Sequence, residues 1–269
     1  MSVLDDIDLE PRATGVLLPG EPRIRVGWAE VRDAVAGDDP AGTVARARLA
    51  TLLRLRRWVA DLGTGAAAAL EAAAVPLALP RAHALHPGPA WVAEALPGGA
   101  LDLGVGVEGR LVGREHAVPL PASVALAAGA DVAAWWPFLR ARAESMGRLA
   151  AARLTRTPPR TAPRTGPDPD AVLRPVGGCD VPTLLASPSL RGALAMRDGS
   201  GLRAVAVPQR SRGWHDVTRV DPAYVTAVWG LTDDVDRGLA GPVLVTRDEV
   251  CLPAPGGDAV RHALEPSRR

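Results

Sequence analysis

The sixteen residues Thr155–Asp170 (TRTPPRTAPRTGPDPD) constrain this chain more than any others. They hold five prolines, three arginines and no large apolar side chain. Proline fixes φ and removes a hydrogen-bond donor, so neither a helix interior nor a central strand passes through such a segment. The composition predicts an extended, solvated linker of polyproline character. It divides the 269-residue chain into residues 1–154 and 171–269. Each part is long enough for a core of its own.

The N-terminal part reads as mainly helical. Asp39 and Pro40 form an N-cap and first-turn signal. The helix they open runs to about Leu62 and stops before Gly63. Leu52, Leu55, Trp58, Val59 and Leu62 share one face, with Arg46, Arg54 and Arg57 opposite. Shorter helices are expected over Trp28–Ala36 and Gly65–Ala74. Leu101–Val107 alternates like a strand, and a turn at Glu108-Gly109 would return Arg110–Val118 as its hairpin partner until Pro119 and Pro121. A long helix opens at Asp131 or near Pro137. Its inner half carries Phe138, Leu139, Met146, Leu149, Ala150 and Leu154, and its outer half Arg140, Glu144 and Arg148.

The C-terminal part reads as strand-rich. Leu190–Arg197 and Leu202–Val207 flank Asp198–Gly201, a hairpin signal. Asp221-Pro222 opens a short helix carrying Val225, Val228 and Trp229, closed by Gly230. Val243–Val245 and Val250–Leu252 suggest a second hairpin, and the tail from Pro253 reads as loose. The expected fold is α+β: a mainly helical N-terminal domain (1–154) with one β-hairpin, the linker (155–170), and a smaller strand-rich α+β domain (171–269).

Composition subtracts chemistry. All 31 basic residues are arginine, and the chain has no lysine and no asparagine. Schiff-base catalysis, a P-loop lysine and a kinase-type strand lysine are therefore excluded. Coding by a GC-rich bacterial genome produces this pattern without selection on function. The net charge of +1 implies no strongly polyanionic partner. Asp5, Asp6, Asp8 and Glu10 stand where a secretory signal would be basic and then apolar. No run reaches the ~20 apolar residues of a membrane span. Cys179 and Cys251 match no metal spacing and read as reduced thiols. The expectation is a soluble cytoplasmic protein with no cofactor, no metal and no membrane partner.

Gly104, Gly106 and Gly109 match G-x-G-x-x-G, but the following RLVGREHAVPLP does not open a helix, so the glycines read as hairpin residues. His83, His86 and His116, with Glu115, lack a defined ligand spacing. Asp233, Asp234 and Asp236 read as a solvated turn with Asp236 pairing Arg237. Three functions follow. The favoured one is a non-catalytic protein-binding or adaptor module, with Trp135, Trp136 and Trp214 as interface candidates because Trp is favoured at interfaces. The second is a hydrolase or transferase using Cys179 as nucleophile, His215 as base and Asp216 beside it. The third is a nucleic-acid accessory protein binding through Arg140, Arg148, Arg156, Arg160 and Arg164. Seven arginines and one acid lie between Arg140 and Arg164, yet no aromatic is interleaved in the linker for base stacking, which makes nucleic acid the weaker partner.

Overall fold

The computed structural model describes residues 7–35, 42–156, 171–197, 199–216 and 218–253. The chain forms two units, each assembled from separate segments. Unit 1 holds residues 1–75, 82–93 and 104–139, and unit 2 holds 76–81, 94–103 and 140–269. The expected linker begins with the last two residues of a helix and otherwise lies outside the described residues, as do Asp39 and Pro40.

Unit 1 opens on a three-stranded antiparallel meander of β1 (Glu10–Arg12), β2 (Gly15–Leu18) and β3 (Ile24–Gly27). In β3, Ile24 and Val26 are buried while Arg25 is exposed, the period-2 pattern of a half-buried strand. Gly15 has φ 156°, and a Cβ there would meet the Val26 carbonyl at 2.1 Å. Helix α1 (Trp28–Val35) leads to α2 (Thr43–Leu62), whose face of Leu52, Leu53, Leu55 and Val59 is buried. Gly63 closes α2 with φ 54°, and α3 (Ala66–Ala73) follows.

A mixed segment comes next: β4 (Ala74–Leu79), β5 (Ala93–Ala95), β6 (Asp102–Val107) and β7 (Val118–Pro119). The sheet order is β4-β6-β5, with β7 pairing β6. Pro76 sits in β4 at the end of that order, where a strand tolerates a residue without an N–H. Helix α4 (Ala122–Ala127) and the long α5 (Trp136–Arg156) complete the first half of the chain.

These strands correct the sequence-based fold class. The N-terminal part is not mainly helical with one hairpin, because it contains the β1-β2-β3 meander and the strands of a second sheet. The meander strands have three or four residues and β1 is exposed throughout, so the brief alternation in β3 is too short to announce them. The expected Glu108-Gly109 hairpin is also replaced. Residues Gly109–Val112 form a 3₁₀ turn, and only Val118 and Pro119 return to pair with Val107 and Gly106.

The α5 seam differs from the expected one as well. Phe138 and Leu149 are exposed, at 59% and 52%, while Leu139, Ala143, Gly147, Ala150 and Leu154 are buried. The buried stripe uses small residues because the contact is tight. A Cβ on Gly147 would stand 2.0 Å from the Cβ of Ser187.

Unit 2 is built on a five-stranded antiparallel sheet. Its members are β8 (Val172–Leu173), β9 (Arg203–Gln209), β10 (Arg212–Trp214), β11 (Val243–Val245) and β12 (Val250–Cys251), in the order β12-β11-β9-β10-β8. The helices α6 (Val181–Leu184), α7 (Pro188–Ala195) and α8 (Pro222–Gly230) pack around it. On one face Ala204, Ala206, Trp214, Val220 and Val225 form a buried cluster. On the other, Val181 of α6 and Val207 of β9 close over Gly213. The expected strand over Leu190–Arg197 is helix α7. Ser187 caps it by accepting from the Leu190 N–H at 3.3 Å, and Pro188 occupies its first turn.

Candidate functional site

Cys179 lies in a tight turn where its backbone exchanges two hydrogen bonds with Val176, at 2.9 and 3.0 Å. Its side chain is 1% exposed. Burial pushes the thiol up to about 11, with Asp180 raising it further and Arg142 opposing. At pH 7 roughly one such thiol in ten thousand is ionised. Among the described residues the Cys179 thiol makes no hydrogen bond to His215. His215 is buried and serves as a backbone strap: its N–H donates to the Ala171 carbonyl, and its own carbonyl accepts from Arg203 Nε at 3.2 Å and Nη2 at 2.7 Å. Asp216 accepts from the Arg219 N–H at 2.8 Å and pairs with its guanidinium at 3.1 Å, closing the turn after β10. On this geometry iodoacetamide at pH 7 is expected to label the half-buried Cys251 and to reach Cys179 only on unfolding. Mass spectrometry of native and denatured samples checks this, and rapid native labelling of Cys179 would restore the thiolate reading.

The tryptophans divide unevenly. Trp135 and Trp214 are 7% and 5% exposed, and Trp136 is half-buried. Trp214 stacks edge-on against Tyr224 with ring centroids 5.7 Å apart. Trp91, which no sequence signal singled out, explains one glycine of the G-x-G-x-x-G. Its indole donates to the Val105 carbonyl at 2.8 Å and lies where a Cβ on Gly104 would stand, 2.2 Å away. A Cβ on Gly109 would likewise stand 1.9 Å from the His116 carbonyl oxygen.

Of the arginine run, Arg140 pairs with Glu94 at 2.5 Å, and Arg148 is exposed. Arg156 ends α5, and Arg160 and Arg164 lie outside the described residues. His83 and His86 are buried and accept from the N–H groups of Leu85 and Gly88, each at 3.0 Å. No group of three candidate metal ligands occurs among the described residues. Asp234, rather than the expected Asp236, pairs with Arg237, whose guanidinium lies 4.1 Å over the Trp229 ring. No helix among the described residues is long and apolar enough to cross a membrane.

One surface stands apart. Helix α8 has the sequence PAYVTAVWG and continues into Leu231, ten residues without a charge. Only Val225 is buried, while Val228 is half-buried against the cluster on the sheet and Trp229 is half-buried beneath Arg237. Ala223, Ala227 and Leu231 recur every four residues and so line one exposed stripe, with Leu231 91% exposed and Tyr224 38% exposed beside it. A helix lying on a core ordinarily carries charged residues on the face away from it. The signal was in the sequence, since the missing charges are visible there, but an uncharged helix of this length reads equally as core. No family model, curated protein or solved structure matches the chain.

Proposed function

We propose that this protein is a non-catalytic binding module whose partner-recognition surface is the outer face of α8. The observation that carries the reading is the uncharged, solvent-facing stripe of Ala223, Ala227 and Leu231 beside Tyr224. Small residues let a second backbone approach closely, and Leu231 and Tyr224 supply apolar anchors. Asp221 and Asp233 provide a polar rim at the two ends. The buried, protonated Cys179 favours this over covalent catalysis.

Burying one leucine side chain contributes about 1.5–3 kcal/mol, and each ~1.4 kcal/mol is a factor of ten in affinity. Leu231→Glu and Ala227→Arg are therefore each expected to weaken the complex at least tenfold without changing the melting temperature. The experiment is affinity capture of the tagged full chain from nuclease-treated extract of its native host. A near-stoichiometric protein retained by the wild type and lost by both variants supports the proposal. Equal retention by wild type and variants, or no retained protein at all, overturns it.

A further inference from the structure

Unit 1 holds a cleft of about 230 Å³ between α1, α2 and the start of α4. Its walls are largely apolar, with Leu52 from α2, Leu85 and Pro87 from the loop after β4, and Pro119 and Pro121 before α4. The Arg48 and Thr51 donors in the lining are spent on the protein itself. Arg48 donates to the carbonyls of Ala84, His83 and Val35, and the Thr51 hydroxyl donates to the Ala47 carbonyl at 2.8 Å. The acceptors are different. Glu30 and Asp33, three residues apart on α1, both line the cleft. Glu30 Oε1 is buried and has no hydrogen-bond donor among the described residues. Its ion-pair partner, Arg56 Nε, stands 3.4 Å away without forming a hydrogen bond. Burial raises the Glu30 carboxyl, Arg56 opposes this, and the Asp33 charge raises it further, so the two carboxylates repel across the site.

We infer that this cleft binds a small organic ammonium ion with an apolar body, the cation seated between Glu30 and Asp33 and the body against Leu52, Leu85 and the two prolines before α4. A cation there relieves the repulsion between the carboxylates and gives Glu30 Oε1 the donor it lacks. An anionic ligand would meet both carboxylates, and a neutral alcohol could donate to the buried oxygen but would leave the charge of the two carboxylates unopposed. The inference is independent of the α8 surface, which belongs to unit 2.

The test is calorimetric titration of the full chain with 2-phenylethylamine, with 2-phenylethanol and phenylacetate as neutral and anionic controls of similar shape. The amine is expected to bind at least tenfold tighter than the alcohol, and phenylacetate not at all. Asp33→Asn, a substitution at an exposed position, is expected to lower amine affinity at least threefold, and Glu30→Gln at least tenfold. Ala122→Trp, which fills the cleft from its exposed rim, should abolish binding at an unchanged melting temperature. Equal binding of amine and alcohol, amine binding indifferent to Asp33→Asn and Ala122→Trp, or no amine binding by the folded wild type would each overturn the inference.

Discussion

Replacing Gly147 by alanine is expected to destabilise this protein by about 2 kcal/mol or more, although helix propensity alone favours alanine by about 1 kcal/mol. The sign is set by one distance. The new methyl would stand 2.0 Å from Ser187 Cβ and 2.2 Å from its Oγ, well inside van der Waals contact. Ser187 is not a flexible end that can swing away. Its hydroxyl oxygen caps α7 by accepting from the Leu190 N–H, and the same hydroxyl donates to Glu144 Oε2 at 2.6 Å. Either the seam between α5 and α7 opens or the cap is lost. For a chain of this size the penalty lowers the melting temperature by several degrees. Gly147→Ala/Ser187→Gly removes the clash at the cost of roughly a few tenths of a kcal/mol for the cap and of the hydrogen bond to Glu144, so the double variant should melt above Gly147→Ala alone. A rise in melting temperature for Gly147→Ala would mean that the helices do not approach this closely.

The same seam has a pH signature. Burial raises the Glu144 carboxyl, but the hydrogen bonds from Ser187 and Ser189, with Arg148 nearby, outweigh it and hold the group below its ordinary value. A depressed folded pKa contributes stability that is present above the unfolded pKa, about 4.3, and lost as pH falls through the folded one. Glu144→Gln should therefore flatten part of the acid limb of a stability-versus-pH curve.

The second large effect is expected at Arg210. This side chain is 1% exposed, and its Nε lies 2.7 Å from Asp180 Oδ2. Asp180 in turn accepts from the Thr183 N–H at 3.1 Å and from its hydroxyl at 2.5 Å, capping α6. The Thr183 hydroxyl oxygen accepts from the Ala78 N–H at 2.9 Å, tying the end of β4 into the network. Arg210→Met strands a carboxylate in the interior and should cost about 3–5 kcal/mol. Asp180→Ser/Arg210→Met keeps an N-cap oxygen while removing both charges. It should recover a large part of that loss, since the stranded charge rather than the missing pair is the main penalty. Urea unfolding of wild type, single and double variants measures this. A single variant as stable as wild type would show that the pair is not buried.

Arginine is where the sequence and the fold diverge most instructively. As a composition, 31 arginines and no lysine signal only coding bias. In the structure several of them are clamps. Arg191 donates to the carbonyls of Leu185, Ala186, Arg247 and Asp248. Arg57 reaches those of Pro19 and Pro22, and Arg48 those of Val35, His83 and Ala84. A planar fork with five donors satisfies several orphan carbonyls at once, which a lysine ammonium does with less geometric definition. Nothing local in the sequence distinguishes such an arginine from a solvated one.

The residues themselves determined every feature that depends on a few neighbours. The end of α2 at Gly63, the opening of α8 at Asp221-Pro222, the β11–β12 hairpin and the absence of lysine chemistry all follow from local capping, turn and composition rules. Only the tertiary structure decided the short meander strands, the small-residue seam at Gly147, the Asp180–Arg210 pair and the closing of Glu30 and Asp33 around an apolar cleft. The seam, the ion pair and the apolar walls of the cleft join side chains distant in sequence, and the meander strands are too short for a local pattern to mark them. Their free energy comes from desolvation and close approach, quantities that no window of consecutive residues contains.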